Sequence, residues 1–298
     1  MPRYRLRHTT RYRYTEPATL SRNEARLTPR TLSYQRVEDI RLEVLPTPEY
    51  HSQYLDAFGN VVSLFNVNAP HDTLDVTMHA WITTLPRPEP PVGRMTWEAC
   101  RDRLAQEHYA QSQGALPFLQ DSTFIQRSQA LADWLAPCLT PGRDLVEMAD
   151  ALNRRIFEEF TYDPDFSTLE TTSLEVMQHK RGVCQDYAHL AIAALRSVGL
   201  AARYVSGYLE TAPPPGQPRL IGSDASHAWF SVLIPEWGWL ALDPTNGTRA
   251  GEQHPVLSWG RDYADVAPLK GVVTGGGTQS LKVEVDVIPE DEVAALGL

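Results

Sequence analysis

Residues 182–209 read GVCQDYAHLAIAALRSVGLAARYVSGYL, and the fold class turns on how this stretch divides. Ala188, Ala191, Ile192 and Leu195 fall at helical offsets, which predicts a buried stripe on a helix from Gln185 to Val198. Gly199 stands where a left-handed residue closes a helix. AARYVSGYL (201–209) then reads as a strand. Further on, SHAWFSVLI (226–234) and GWLALD (238–243) read as two strands joined by a turn at Pro235, Glu236 and Trp237. A helix followed by antiparallel strands is α+β order, not the strand–helix alternation of a dinucleotide fold.

Upstream, residues 3–15, 37–45, 61–67 and 74–84 are short, rich in β-branched and aromatic residues, and broken by turn formers. LDAFGN (55–60) is a turn signal. Strands at this spacing without helices between them predict an N-terminal β-sandwich-like domain over 1–86. LPRPEPPVG (85–93) carries four prolines and predicts a stiff linker. The second domain is then 94–298, with a helical lead-in over 96–140. Thr96 is placed to cap a helix over 97–110, and 126–135 reads as another short helix. Asp144 is placed to cap a third, whose Leu145, Met148, Leu152 and Ile156 share one face. SLKVEVDVI (280–288) reads as a last strand, and the glycine-rich GVVTGGGTQ (271–279) before it as a turn.

The totals narrow the function. The chain has 298 residues and a net charge of −10, with no apolar run long enough to span a bilayer. The start has no signal-peptide core, so a cytoplasmic location is expected. Residues 1–36 hold nine arginines against two glutamates, but Arg3, Arg5, Arg7, Arg11 and Arg13 follow strand alternation. They are expected to form one solvated sheet face, so no nucleic-acid or membrane partner is expected. The three cysteines, Cys100, Cys138 and Cys184, are far apart and form no CxxC pair. That spacing argues against a thiolate zinc site and a disulfide framework. No metal is expected.

Cys184 opens a helix, where unpaired backbone N–H groups favour an anion. Gly182 lets the preceding loop approach closely. A nucleophilic cysteine also needs a base. His189, five residues on, lies about 140° round the helix from Cys184 and is expected at the core edge. His227, at the start of a strand, is the better partner. A catalytic imidazole needs an orienting group on its other nitrogen. Asp243 ends the adjoining strand of the hairpin and can lie beside His227. Alone, each residue has an ordinary structural role: filler, strand histidine, turn starter.

The segments 182–209, SHAWFSVLIPEWGWLALDPTNG (226–247) and RDYADVAPLKGVV (261–273) together resemble the transglutaminase-like superfamily, which is papain-like in fold. HTTRYRY (8–14), DAFGN (56–60) and APH (69–71) extend the resemblance to bacterial members with an N-terminal β-domain. The resemblance implies a nucleophile helix packed on an antiparallel sheet and a triad: Cys184 as nucleophile, His227 as base and acid, Asp243 as orienting group. It implies acyl chemistry on the amide of a protein or peptide through a thioester, without a cofactor. Hydrolysis by a peptidase or amidase is the expected outcome. Transfer to an amine and a non-catalytic scaffold are the alternatives. The backbone N–H of Cys184 is one expected oxyanion donor. Some transglutaminases use an upstream tryptophan as the second, but FTYDPDFS (160–167) has none, leaving the Tyr162 hydroxyl. No calcium-binding loop is evident. Trp229, Trp239 and Tyr263 are expected to line a substrate groove, Asp265 to lie at its rim, and Asp186 to be a first-turn helix charge.

Overall fold

The computed structural model describes residues 1–168, 170–211, 222 and 224–296. It opens on a 23-residue strand, β1 (Arg3–Ala25), around which the N-terminal half is arranged. β2 (Gln35–Leu45), β3 (Tyr50–Leu55), β4 (Val61–Val67) and β5 (His71–Thr84) follow. A strand this long cannot stay flat in a twisted sheet. The β1–β5 register breaks between Arg13 and Ala18, around Pro17, which has no N–H for a ladder. Before the break β1 pairs with β5. Beyond it, after one last pair between Ala18 and His71, β1 pairs with β4 from Ser21 on, so the sheet curls and its two halves share one core. Leu74, Val76, Met78, Ala80 and Ile82 of β5 alternate into that core, meeting Tyr4 and Leu6 from β1 and Phe65 and Val67 from β4. At the β3–β4 turn, Asp56 Oδ1 accepts from the N–H groups of Phe58 and Asn60 (2.9 Å each), and Gly59 takes φ +74°.

Helices α1 (Trp97–Leu104), α2 (Glu107–Ser112), α3 (Gln129–Leu135) and α4 (Leu145–Glu159) come next. Thr96 accepts from Ala99 N and Asp144 from Val146 N and Glu147 N, so both expected caps are formed. The single helix expected over 97–110 is two, α1 and α2. The helix read over 126–135 begins only at Gln129, behind a Ser128 cap. β6 (Thr161–Tyr162), α5 (Ser173–His179) and β7 (Arg181–Gly182) lead into α6 (Cys184–Ser197).

α6 is the centre of the second core. Every residue from Asp186 to Arg196 is buried, and Ile192 and Leu195 alone each contribute about 1.5–3 kcal/mol of apolar burial. Gly199 closes the helix at φ +79°. The helix packs on an antiparallel sheet built from β8 (Ala202–Tyr208), β9 (Ser226–Ile234), β10 (Gly238–Asp243), β11 (Thr248–Arg249) and β12 (Val256–Gly260), in the order β11-β10-β9-β8-β12. This is the expected α+β core.

After α7 (Tyr263–Val266), β13 (Leu269–Gly275) and β14 (Gln279–Pro289) pair with β1 before the short α8 (Glu290–Val293). This corrects the division at 86 and 94: residues 269–289 belong to the N-terminal sheet, giving it seven strands. It also corrects the reading of 271–279, since only Gly276–Thr278 turn and the residues before them form β13. The outer edge of β12 meets side chains instead of a strand. Gln35 exchanges two 2.7 Å hydrogen bonds with the backbone of Val256. Asn60 does the same with Trp259, at 2.8 and 3.1 Å. Among the described residues no helix is long and apolar enough to cross a membrane.

Candidate active site

Val183 is the N-cap of α6 and has no side-chain acceptor to offer. The first N–H groups of the helix are therefore not consumed by a side-chain cap, and they surround Cys184, which is partly exposed. Cys100 and Cys138 are buried, and burial pushes the Cys100 thiol up to about 12. Asp186 turns inward, and its Oδ2 accepts from Val183 N (2.7 Å). A methyl on Gly182 would sit 2.8 Å from that same oxygen. Gly182 thus makes room for Asp186, a more specific role than the close approach its type suggested.

His227 and Asp243 stand at the open end of the β9–β10 hairpin. Their contact follows from the pairing of Leu242 with Phe230, which sets the end of β10 beside the start of β9. His227 Nε2 lies 2.8 Å from Asp243 Oδ2, and the ring also interacts with the Cys184 side chain. With Nε2 engaged by Asp243, Nδ1 is the nitrogen left for the thiol. Burial opposes a charge on His227. The interactions with Asp243 and then Cys184 outweigh it, raising the imidazole to about 10.

Asp243 is fully buried. Its Oδ1 accepts from Thr245 N (3.0 Å) and Asn246 N (3.3 Å), and its Oδ2 from Asn246 Nδ2 (2.7 Å), His227 and His254. Burial would raise its pKa, but the donors, His227 first, hold it well below the usual carboxylate range. His254 Nε2 is 3.0 Å from Oδ2.

His227, Asp243 and His254 place three ligand-type atoms within 4.8 Å of one another, a grouping that could suit a metal. The donor chemistry does not fit one. Gly251 N–H donates to His254 Nδ1 (3.2 Å), which puts the ring's proton on Nε2, the very atom a metal would need bare.

The other expected site residues divide. Tyr162 is 53% exposed and pairs across β6–β7 with Gly182, two residues before Cys184. Burial and then the nearby Cys184 raise its phenol. Tyr263 is half-buried, packs near Tyr204 and Phe124, and donates its N–H to His189 Nε2 (3.3 Å). His189 is buried at the core, as expected. Trp229 is wholly buried between His227 and His254 at 6.0 and 5.4 Å between ring centroids, so it is a support of the pair and not a groove wall. Trp239 pairs with Leu233 at the far end of the hairpin, four residues or about 13 Å from Asp243 along β10. It lines a separate cavity of about 420 Å³ with Tyr34, Arg87 and Trp237. Asp265 is not a free rim group: it binds Arg261 through both oxygens (2.8 and 2.9 Å). The proline-rich 211–220 loop lies, except for Thr211, outside the described residues.

Reasoning from the sequence missed His254 and Asn246. Asn246 had a signal, since DPTNG places an amide three residues after the carboxylate, within reach of an Asx-type turn. His254 had none: it precedes a proline in an irregular loop.

Residues 4–83 match the bacterial transglutaminase-like N-terminal region, and residues 130–244 match the transglutaminase-like superfamily. An uncharacterized protein of Mycobacterium tuberculosis is 42% identical over 301 residues, covering 96% of this chain and 93% of its own. One from Mycobacterium leprae is 36% identical over 290 residues, covering 96% and 99%. A protein-glutamine gamma-glutamyltransferase of Pseudomonas aeruginosa is 34% identical over 122 residues, covering 40% of this chain and 18% of that protein. The crystal structure of a candidate cysteine protease from Cytophaga hutchinsonii shares the fold, with a TM-score of 0.74 at 20% identity over 97% of this chain and 91% of that one. Fold, sequence and full-length relatives agree that the chain belongs to the transglutaminase-like superfamily, as a member with the bacterial N-terminal region.

Proposed function

We propose that the protein is a cysteine-dependent hydrolase of amide bonds in proteins or peptides. The observation that carries this reading is the alignment of Cys184, at the start of α6, with His227, whose Nε2 lies 2.8 Å from Asp243 Oδ2. Cys184 attacks the amide carbonyl and forms a thioester. His227 gives its proton to the departing amine, then takes one from the water that resolves the acyl-enzyme. Asp243 orients the ring and stabilises its charge without taking the proton. The tetrahedral oxyanion is held by the backbone N–H of Cys184, left uncapped by Val183, and by the Tyr162 hydroxyl. No cofactor takes part.

Amine transfer is the second reading, favoured by the match to the gamma-glutamyltransferase. Both readings need an activated thiol, so the first experiment is iodoacetamide alkylation near neutral pH with peptide mapping. Cys184 is expected to react rapidly while Cys100 and Cys138 stay unlabelled. His227→Ala is expected to slow that reaction at least tenfold. Equal labelling of all three cysteines, or an unchanged rate in the variant, removes the basis for either activity. Peptide libraries assayed with and without a fluorescent primary amine then separate hydrolysis from transfer.

A further inference from the structure

Two imidazoles meet one oxygen in this site. His227 Nε2 lies 2.8 Å and His254 Nε2 3.0 Å from Oδ2 of Asp243. The chain itself decides the protonation of His254. A backbone N–H can only donate, so the hydrogen bond from Gly251 N leaves Nδ1 bare and puts the ring proton on Nε2, toward Asp243. Trp229 packs edge-on against the ring at 5.4 Å and 83°, which restrains its rotation. His254 is only 5% exposed, and burial holds its pKa low against the pull of Asp243, so of the two rings His227 is the one that carries charge.

We propose that His254 is a positioning residue of this site: its Nε2–H, fixed by the Gly251 N–H, holds Oδ2 of Asp243 and shares that oxygen with His227. The inference rests on the triad reading above. Its consequence concerns proton release. A carboxylate serving His227 alone would grip the imidazolium more tightly and slow delivery of its proton to the leaving amine. Division of the oxygen between two donors weakens that grip while Asp243 stays ionised. The charged and titratable groups facing the pair are Cys184 from α6, Asp243 from β10, and Arg87, whose Nη2 donates to the His254 carbonyl at 3.4 Å.

The test is NMR of the full chain with ¹⁵N-labelled histidine. In the wild-type protein His254 is expected to be protonated at Nε2 and bare at Nδ1, and the opposite tautomer overturns the proposal. His254→Phe keeps an aromatic ring against Trp229 but has no donor. It is expected to move the low-field His227 N–H signal further downfield and to raise the His227 titration midpoint by about one pH unit, the worth of one hydrogen bond to a charged acceptor. His254→Gln, whose amide can donate to Oδ2, is expected to return both toward wild type. A folded His254→Phe protein with the His227 signal and midpoint unmoved shows that His254 only packs, and overturns the proposal. Failure of the triad reading looks different: His227→Ala then leaves the alkylation rate of Cys184 unchanged, whatever the tautomer of His254.

Discussion

His189 ties the stability of α6 to pH. The ring is buried, stacked on Phe124 at 5.5 Å and 12°, and its Nε2 accepts from Tyr263 N. Burial, with Arg196 nearby, depresses its pKa from 6.5 to about 3. A depressed folded pKa means the stability gained from the neutral ring is present above about pH 6.5 and is lost as pH falls toward 3. Between pH 7 and pH 5 the unfolded chain takes up this proton and the folded chain does not, so about 2 kcal/mol of stability disappears through this one group. His189→Gln keeps an acceptor for Tyr263 and cannot titrate. Its unfolding free energy at pH 7 is expected to drop by about 1 kcal/mol for the lost stacking. From pH 7 to pH 5, however, it should lose about 2 kcal/mol less than the wild type. Urea unfolding followed by tryptophan fluorescence at both pH values measures the difference. His8, buried and lowered to about 4, drives acid loss of the same sign but is present in both proteins and cancels. Equal pH losses in the two proteins would mean that His189 does not carry the proton.

Other outcomes follow from the same geometry. Gly207→Ala would bring a methyl to 2.2 Å from the Pro255 carbonyl and 2.5 Å from the Trp229 ring, and is expected to cost about 3 kcal/mol or more, read as lost soluble yield or a lower Tm. Gly182→Ala meets the Asp186 carboxylate at 2.8 Å; a loss of about 1–3 kcal/mol is expected, with slower alkylation of Cys184 as the helix start shifts. Tyr162→Phe is expected to leave the Tm unchanged, its side chain being half exposed, and to reduce turnover on any substrate found by about 10- to 1000-fold; an unchanged kcat would assign the second oxyanion donor elsewhere. Asp243→Ala is expected to fold but to lose most activity. Retained turnover would reduce Asp243 to a turn residue.

How far the sequence could be read depended on whether a residue's role is local. α6 was legible because its apolar stripe, its glycine stop and the strand beyond are all set within one window of chain. Thr96 and Asp144 were legible as caps for the same reason. β3 and α5 were not read from the sequence: β3 is exposed along most of its length, and α5 is only two turns long. The destination of β13 and β14 was illegible because pairing across roughly 240 residues or more leaves no periodic trace; β14 reads as a strand but not as a partner of β1. In the site, Cys184, His227 and Asp243 could be named together because a chemical requirement links them, and the meeting of His227 with Asp243 follows from one hairpin. His254 contacts Asp243 through an irregular loop, where neither period nor motif points the way. Trp229 and Trp239 were misplaced because alternation says which residues share a face, not what covers it.

The amides of Gln35 and Asn60 along β12 bear on how the protein is made. An exposed strand edge is a template for pairing with other chains, and the half of the chain that carries β12, made alone, would present one. Synthesis runs from the N-terminus, so the residues that seal this edge leave the ribosome about two hundred residues before Val256 and Trp259. The guard is in place before the strand it guards exists. Supplied as two separate pieces, the same sequence would have to find that pairing by diffusion, in competition with its own aggregation.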